Sequence, residues 1–206
     1  HGRFPDAHFA AIGPAGENYE KVGYASIALS TDNQLKSGDA KPRFCGRGGY
    51  GGVMGSKNLL AIAADGPNPR TPSRGLKEIN REINLGEGSR GYREVGTWRM
   101  VGMLHPAGGL PEFNFAPPGK DDGRALSRPV VEAGPYVVKA EACYLCGIKC
   151  HKNDYDRVDG EPGKFRAKVD YEPLALLSSN LGIYDADEAL TLIDLADELG
   201  MDSISL

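Results

Sequence analysis

The sequence lacks any hydrophobic run long enough to cross a membrane. No stretch approaches the roughly 18 consecutive apolar residues of a membrane-spanning helix. The first residues also lack a basic segment followed by an apolar one, which is the pattern of a secretory signal. We therefore predict a cytoplasmic protein with no membrane span.

The sequence also lacks a strong excess of either charge. Its formal net charge is -4, and 40% of its residues are apolar and 25% charged, which is ordinary for globular domains. This balance argues against an electrostatic nucleic-acid binder and against a protein of the membrane surface. A chain of 206 residues is long enough for one large domain or two small ones.

The chain has no initiator methionine. It begins with His1-Gly2-Arg3 and stops at Leu206, directly after a helix-stop signal. Our hypothesis is that it is an internal segment of a longer polypeptide, and a mature product with an intact mass of 22.0 kDa would contradict this. Glycine (28 residues) and proline (14 residues) are frequent, which predicts many turns and loops.

Apolar runs and turn residues indicate strands in the first third. Residues 9–12 and 24–29 have the pattern of two strands joined by a turn at 13–16. Residues 59–64 are continuously apolar, which predicts a buried strand. The proline-containing stretch 67–74 is the predicted linker.

Helical patterns follow the linker. Residues 75–84 are predicted to be helical, and a second helix is expected to begin at Asp185, with Glu188 in a capping-box position. One apolar face of this second helix is formed at helical spacing by Ala189, Leu192, Ile193, Ala196 and Leu199. Gly200 is expected to end it in a left-handed conformation.

Three of the four cysteines lie in one short run, ACYLCGIKC, as Cys143, Cys146 and Cys150. This spacing lets several thiolates face one centre, as iron-sulfur clusters and zinc sites need. Iron-sulfur is favoured over zinc because no second close pair of cysteines follows. The fourth ligand is Cys45, His151 or a residue beyond the sequence.

Other interpretations of the cysteine run are weaker. Disulfides do not suit a cytoplasmic chain, and free buried cysteines are rarely so clustered. Three neighbouring lysines could offset the negative charge of thiolates and cluster, although they could also be ordinary surface residues. They are Lys139, Lys149 and Lys152.

Residues 45–55 read CGRGGYGGVMG and contain six glycines. Such a loop lets peptide N–H groups approach a phosphorylated cofactor. Gly46, Gly48 and Gly51 also match the dinucleotide-binding spacing G-x-G-x-x-G, but no buried strand leads into them. A glycine-rich turn without a ligand remains an alternative.

Six sequence words, taken together and in this order, resemble the aldehyde:ferredoxin oxidoreductase family, tungsten enzymes of anaerobic metabolism. They are AIGPAGEN (11–18), GRGGYGGVMGSKNLLAIA (46–63), ACYLCGIKC (142–150), YE (171–172), SNLGI (179–183) and DELGMDSIS (197–205). Coverage is weakest over residues 75–139. Several such words in order are more specific than either motif alone.

The resemblance implies a tungsten-bis-pyranopterin cofactor (tungstopterin) with a bridging Mg²⁺ ion, and a nearby [4Fe-4S] cluster that passes electrons to ferredoxin. Cys143, Cys146 and Cys150 would be the cluster ligands. Glu172 would lie beside the metal and accept a proton when water adds to the substrate carbonyl. The implied cofactor-binding residues are Arg43, Phe44, Gly46, Arg47, Gly48, Asp197, Gly200, Met201 and Asp202, with the Phe44 carbonyl near Mg²⁺.

The resemblance also implies an α+β fold. Residues 1–66 would form the end of a β-rich pterin-binding domain. Residues 67–206 would begin a mainly α-helical domain that carries the iron-sulfur ligands, with the cofactor at the junction.

The sequence departs from the family at three positions. Gly147 replaces the usual proline after the second cluster cysteine, and Met201 replaces a leucine. Thr191 stands where the family often has an acidic residue that binds an interface metal, so that metal is not predicted. Segments of the family that lie outside this sequence carry the last cysteine and a catalytic histidine, so this chain alone should be inactive.

The predicted function is oxidation of an aldehyde to a carboxylic acid, with ferredoxin or an iron-sulfur subunit as electron acceptor. Further expected partners are the remaining segments of its own longer chain, and a homo-oligomer is compatible with this function. One alternative is an aromatic acyl-CoA reductase subunit of the same superfamily, disfavoured by Glu172. Others are a non-catalytic zinc or iron-sulfur module and a dinucleotide-binding protein.

Overall fold

A computed structural model describes residues 4, 7–31, 34, 42–66, 74–116, 123–143 and 146–206. The chain divides into two compact units. The first contains the residues up to 72 together with 195–206, and the second contains residues 73–194.

The first unit contains a four-stranded antiparallel sheet in the order β3-β2-β1-β4. Its strands are β1 (His8–Ile12), β2 (Ile27–Leu29), β3 (Arg43–Cys45) and β4 (Ala61–Ala64). The predicted strands at 9–12 and 24–29 are thus present, although the second is shorter. The predicted turn between them begins with the one-turn helix α1 (Pro14–Glu17), whose first residue is a proline, as helix starts favour.

The prediction of a buried strand at 59–64 is wrong in its burial. Strand β4 forms there, but all four of its residues are exposed, and Ile62 keeps 54% of its surface. It lies at an edge of the sheet, where it pairs with β1 alone, and no layer of described residues covers either of its faces. An apolar run predicts a strand but does not show whether a further layer covers it.

The first unit also contains helix α2 (Tyr50–Ser56). The second unit begins with helices, and a sheet follows them. Its helices are α3 (Arg74–Leu85), α4 (Glu87–Glu94), α5 (Arg99–Leu104), α6 (Arg128–Ala133) and α7 (Tyr171–Leu176). Short 3₁₀ turns cover Gly123–Leu126 and Ser179–Leu181. Helix α3 confirms the helix predicted over 75–84.

A three-stranded antiparallel sheet in the second unit was not predicted. It consists of β5 (Tyr136–Glu141), β6 (His151–Val158) and β7 (Glu161–Val169), in that order. Asp159 and Gly160 join β6 to β7 and both have positive φ angles (51° and 85°), the conformation that a two-residue hairpin turn requires. The Asp-Gly pair was therefore the sequence signal for this hairpin.

The core of the second unit is built around Trp98, which is 1% exposed and donates its indole N–H to the Leu126 carbonyl at 2.8 Å. Other buried side chains include Val101, Val131 and Val169. An indole buried with its N–H satisfied contributes a large apolar area without an unpaired donor.

The last helix, α8 (Ala186–Leu199), confirms the predicted start and stop. The Asp185 carboxylate accepts the N–H groups of Asp187 and Glu188 at 2.9 and 3.0 Å, and Gly200 has a φ of 69°. Ala189, Ile193 and Ala196 are buried as expected for one face. The division between the units falls within this helix, after Asp194.

The fold therefore belongs to the predicted α+β class. Among the described helices, none combines the length and the apolar character needed to cross a bilayer.

Candidate functional site

The glycine loop follows strand β3 and leads into helix α2. Gly46, Gly48 and Gly49 have φ angles of 75°, 76° and 90°, a region in which residues with a Cβ atom are strained. The loop closes when Tyr50 donates its N–H to the Gly46 carbonyl at 3.1 Å. The sequence prediction that these glycines provide special backbone conformations is confirmed at these three positions.

Other glycines of the same run serve packing. A Cβ atom on Gly51 would lie 2.3 Å from the Ser26 carbonyl oxygen, and one on Gly55 only 1.9 Å from the Gly16 oxygen. Helix α2 therefore packs directly on neighbouring backbone. Gly48 differs from both, because a Cβ atom there would meet none of the described residues within 4 Å, and this residue is exposed.

The segment that follows helix α8 lies against this loop, although about 150 residues separate the two in sequence. Gly48 donates its N–H to Asp202 Oδ2 at 3.0 Å. The Gly200 carbonyl accepts the backbone N–H of Ser26 at 2.8 Å and its hydroxyl at 3.1 Å. The fold thus brings together the two predicted pterin-binding words.

Asp202 is the centre of this arrangement and is only 4% exposed. Its carboxylate also accepts the Ser205 hydroxyl at 2.6 Å and the N–H groups of Ile204 and Ser205. Burial raises the pKa of Asp202, but hydrogen bonds from Ser205, Gly48 and Ile204 together hold it below the usual value. Asp202 is therefore an ionised clamp between two backbone segments.

The other predicted cofactor-binding residues lie in the same unit. Arg43 and Phe44 are half-buried in β3, paired with Leu29 and Ala28 of β2. Arg47 is exposed in the loop, and Asp197 is half-buried in the last turn of α8. A loop with open space at Gly48 and cationic side chains nearby fits a phosphorylated pterin.

The cysteine run forms the loop between β5 and β6 in the second unit. All four cysteines of the chain lie in described segments, and no disulfide joins any of them. Cys143 is exposed, whereas Cys146 and Cys150 are half-buried, and Cys146 donates its N–H to the Cys143 carbonyl at 3.0 Å. These soft donors fit an iron-sulfur cluster chemically.

Among the described residues, the thiols are not gathered into a metal-binding group. Within the described segments of the chain, no three His, Cys, Asp or Glu side chains are arranged so that they could hold a metal ion. The assignment of Cys143, Cys146 and Cys150 as cluster ligands therefore stays a prediction. Cys45 lies in the other unit, and its place as a fourth ligand is also untested.

His151 and Lys152 begin strand β6 directly after the last cysteine of the run. His151 is 3% exposed, and its Nε2 atom lies 3.4 Å from Cys143 Sγ. Lys152 is 1% exposed and donates from Nζ to the carbonyls of Arg93 and Lys149, at 2.7 and 2.9 Å. Burial lowers the pKa of Lys152 to about 8, assisted by Arg128, so the ammonium form predominates at pH 7.

Glu172 lies in the first turn of α7 and is half-buried. The start of this helix is held by Thr97, which accepts the Tyr171 N–H at 3.0 Å and donates to Asp170 Oδ1 at 3.3 Å. Burial, followed by the charge of Glu172, raises the pKa of Tyr171. The proposed proton acceptor thus stands on an anchored helix end.

The chain matches two models of one family. The N-terminal domain of aldehyde ferredoxin oxidoreductase matches residues 1–66, and domains 2 and 3 of the same enzyme match residues 74–206. The tungsten-containing aldehyde ferredoxin oxidoreductases of Pyrococcus furiosus and Pyrococcus horikoshii are each 32% identical, over 95% and 96% of this chain. The chain spans about a third of their length, since it covers 31% of each.

Two further relatives widen the comparison. The WOR-like subunit of an aliphatic sulfonate oxidoreductase from Pyrococcus furiosus is 32% identical over 94% of this chain and is covered to 30%. The active-site complex BamBC of benzoyl coenzyme A reductase shares the fold with a TM-score of 0.59, at 21% identity, over 98% of this chain and 30% of that one. The two matched domain models, of which the model of domains 2 and 3 covers more than half of this chain, show that the chain belongs to the aldehyde ferredoxin oxidoreductase family.

Proposed function

We propose that this chain is part of a tungsten-dependent enzyme that oxidises an aldehyde to a carboxylic acid. The observation that supports this most directly is the hydrogen bond between Gly48 and Asp202. It joins the two predicted pterin-binding segments in a chain whose relatives are named tungsten-containing aldehyde ferredoxin oxidoreductases. Because the chain covers only 31% of those relatives, residues 1–206 alone are expected to be inactive.

The glycine loop would hold the tungstopterin when it is bound. Arg43 and Arg47 supply positive charge for its phosphates, and the Phe44 carbonyl would contact the bridging Mg²⁺. Asp197 would accept N–H groups of the pterin ring. Because the Asp202 carboxylate already accepts hydrogen bonds from three residues, we assign it the shaping of the loop as well as a place beside the ring.

The bound tungsten would supply the two-electron redox chemistry of the reaction. Glu172 would take a proton as water adds to the aldehyde carbonyl. Cys143, Cys146 and Cys150 would hold a [4Fe-4S] cluster that releases electrons to ferredoxin or an iron-sulfur subunit. We further propose a cytoplasmic location for the complete protein.

Metal analysis of the full-length protein, purified without oxygen, tests this proposal. We expect tungsten together with about four irons per chain, and aldehyde-dependent reduction of a viologen dye. Cys146→Ser should remove most of the iron. Cys45→Ser changes an exposed thiol in the first unit and tests the fourth ligand, since unchanged iron content would exclude Cys45 from that role.

The substrate arm of the experiment uses an aldehyde, an aliphatic sulfonate and an aromatic acyl-CoA in parallel. The sulfonate belongs in this set because that relative is as similar to the chain as the aldehyde enzymes are, at 32% identity. Turnover of the sulfonate or the thioester without aldehyde turnover would replace the proposed substrate. Zinc without tungsten or iron would contradict the enzyme itself and support a metal-binding module.

A further inference from the structure

Lys152 is a lysine buried at the base of the cysteine loop. It is the second residue of β6, lies two residues after Cys150, and pairs in register with Ala140 of β5 and Val169 of β7. Only 1% of its surface is exposed. Lysine is almost never fully buried without specific partners, so this side chain calls for a structural explanation.

The ammonium group of Lys152 joins two backbone segments. It donates to the Arg93 carbonyl at the end of α4 at 2.7 Å, and to the Lys149 carbonyl at 2.9 Å. A cation at the C-terminus of a helix is favourable because the terminal carbonyls carry partial negative charge. One positive group thus fixes the cysteine loop to a helix end.

The loop backbone at this point has little freedom. Lys149 has a φ of 53°, a left-handed conformation that costs a residue other than glycine some free energy. Gly96, which has a φ of 74°, packs closely against the same part of the loop. A Cβ atom on Gly96 would lie 2.4 Å from the Cys150 carbonyl oxygen and 3.1 Å from Lys152 Cγ. Lys152 therefore bonds to a residue in a left-handed conformation, Lys149, while the next residue, Cys150, lies close against Gly96.

The preceding part of the loop is also supported by protein. Asn84, near the end of α3, occupies the space beside Gly147, where a Cβ atom would lie 2.4 Å from Asn84 Nδ2. Arg93 in turn donates to the Asn84 and Gly86 carbonyls at 2.6 and 2.9 Å. Gly147 is thus backed by the end of α3, and the Arg93 side chain connects this corner to the helix end whose carbonyl Lys152 binds.

We propose that Lys152 is a positioning residue for the iron-sulfur cluster: its buried ammonium fixes the Cys150 end of the loop, and its charge raises the reduction potential of the cluster. The inference rests on the proposed cluster at Cys143, Cys146 and Cys150. Reduction adds one negative charge to such a cluster, and a nearby cation stabilises that state. The effect is larger where water is excluded, and cluster potentials are set by net charge, hydrogen bonds and exposure.

The test compares three variants of the full-length protein, purified without oxygen. Lys152→Met keeps the length of the side chain and removes its charge, whereas Lys152→Arg keeps the charge. Lys139→Met is the matched control, because Lys139 is exposed on the neighbouring strand β5, with Nζ 5.7 Å from the Tyr155 ring. The readouts are the rate of iron loss to a chelator and the midpoint potential of the cluster followed by electron paramagnetic resonance.

We expect Lys152→Met to lose iron at least about tenfold faster than the wild type, as is typical when a partner of a metal ligand is removed. The cluster that remains should have a lower midpoint potential, whereas Lys152→Arg and Lys139→Met should stay near wild-type values. A Lys152→Met cluster with the same potential as the Lys139→Met cluster overturns the inference, whatever its iron content.

Hydrogen exchange decides the case in which Lys152→Met holds no cluster. Faster exchange confined to the amides of residues 146–150 supports the positioning role. Loss of protection throughout β5, β6 and β7 overturns it in favour of a general structural role. A wild-type protein without iron contradicts the proposed function instead, and so the two failures are distinguishable.

Discussion

The glycine loop and the cysteine loop are both expected to bind cofactors, but the chain builds them differently. Around the glycine loop, side-chain and backbone hydrogen bonds connect segments about 150 residues apart, as between Gly48 and Asp202. The cysteine loop is held at its base by Lys152 and Asn84, while its thiols form no group of metal ligands among the described residues. The first loop is shaped by the polypeptide, whereas the second, if it holds the proposed cluster, would draw on the energy of metal binding to gather its thiolates.

The first test of this comparison, with the largest expected effect, concerns the packing of helix α2 beside the glycine loop. Gly55→Ala places a Cβ atom 1.9 Å from the Gly16 carbonyl oxygen. Because the clashing atom belongs to the backbone, no side-chain rotation can relieve the clash. We expect the free energy of unfolding of the first unit to fall by about 3 kcal/mol, measured by chemical denaturation.

Gly52→Ala is the control in the same helix. Its Cβ atom would meet only Tyr19 Cβ, at an ordinary 3.4 Å. Because alanine favours helix over glycine, this variant should gain up to about 1 kcal/mol. Equal destabilisation by both substitutions would contradict the close packing of α2.

A second test concerns the sheet beneath the cysteine loop. Asp154 on β6 is 0% exposed, and its two carboxyl oxygens have no hydrogen-bond partner among the described residues. Burial, together with Glu132, raises its pKa to about 8. The neutral acid therefore stabilises the fold fully below about pH 4, and that stability is lost as the pH rises through about 8.

Asp154→Asn should remove this dependence of stability on pH. At pH 7 its free energy of unfolding should be about 2 kcal/mol higher than that of the wild type. The control Asp156→Asn, two residues along the strand, breaks a partly exposed ion pair with Arg166 at 3.1 Å and should cost up to about 1 kcal/mol. Denaturation at several pH values measures both effects. If the stability of Asp154→Asn depends on pH as that of the wild type does, Asp154 is not a neutral acid in the folded protein.

A third test breaks the clamp at the glycine loop. Asp202→Asn puts an amide group among the N–H donors of Gly48, Ile204 and Ser205, which should cost about 2 kcal/mol. Since the folded pKa of Asp202 lies below the ordinary 3.8, its stabilisation is present above about pH 4 and is lost as the pH falls through the folded pKa. Faster hydrogen exchange at Gly48 is the specific readout.

Asp65→Asn serves as the control, because Asp65 is an exposed carboxylate in the same unit. It should change neither the stability nor the exchange of Gly48. If Asp202→Asn behaves like this control, the two segments are held by something other than the carboxylate.

The smallest effect is expected at Gly147, where the family usually has proline. Gly147→Ala would bring a Cβ atom 2.8 Å from Asn84 Cβ and 2.4 Å from Asn84 Nδ2, at a cost of about 1 kcal/mol. Asn84→Ala should relieve this clash, so the double variant should lose less stability than the sum of the single ones. Strict additivity would show that the two residues are not in contact.

The sequence located several elements because their signals are local. Asp185 and Gly200 mark the ends of α8, since a cap and a left-handed stop depend on neighbouring residues. The sheet of β5, β6 and β7 was not predicted. The hairpin turn at Asp159-Gly160 carried a signal, but β6 holds buried polar residues such as Asn153 and Asp154 that hide the alternation of a strand.

At the candidate sites, the sequence predicted the residue types but not all of the contacts that hold them. The residue types at Cys143, Cys146, Cys150 and the glycine loop are visible as sequence words. The roles of Lys152 and Gly55 were not, because a buried ammonium and a close backbone contact depend on segments distant in sequence. In the sequence, Lys152 is only one of three lysines beside the cysteines.

The sequence by itself determined the family, through six words in order along the chain, and the composition of both loops. It also determined the ends of helix α8, because cap and stop signals depend on adjacent residues. Only the tertiary structure decided that Asp202 binds the glycine loop, that Lys152 is buried against two carbonyls and that β4 is exposed at an edge. Hydrogen bonding and burial depend on which distant segments meet, and that is a property of the folded chain.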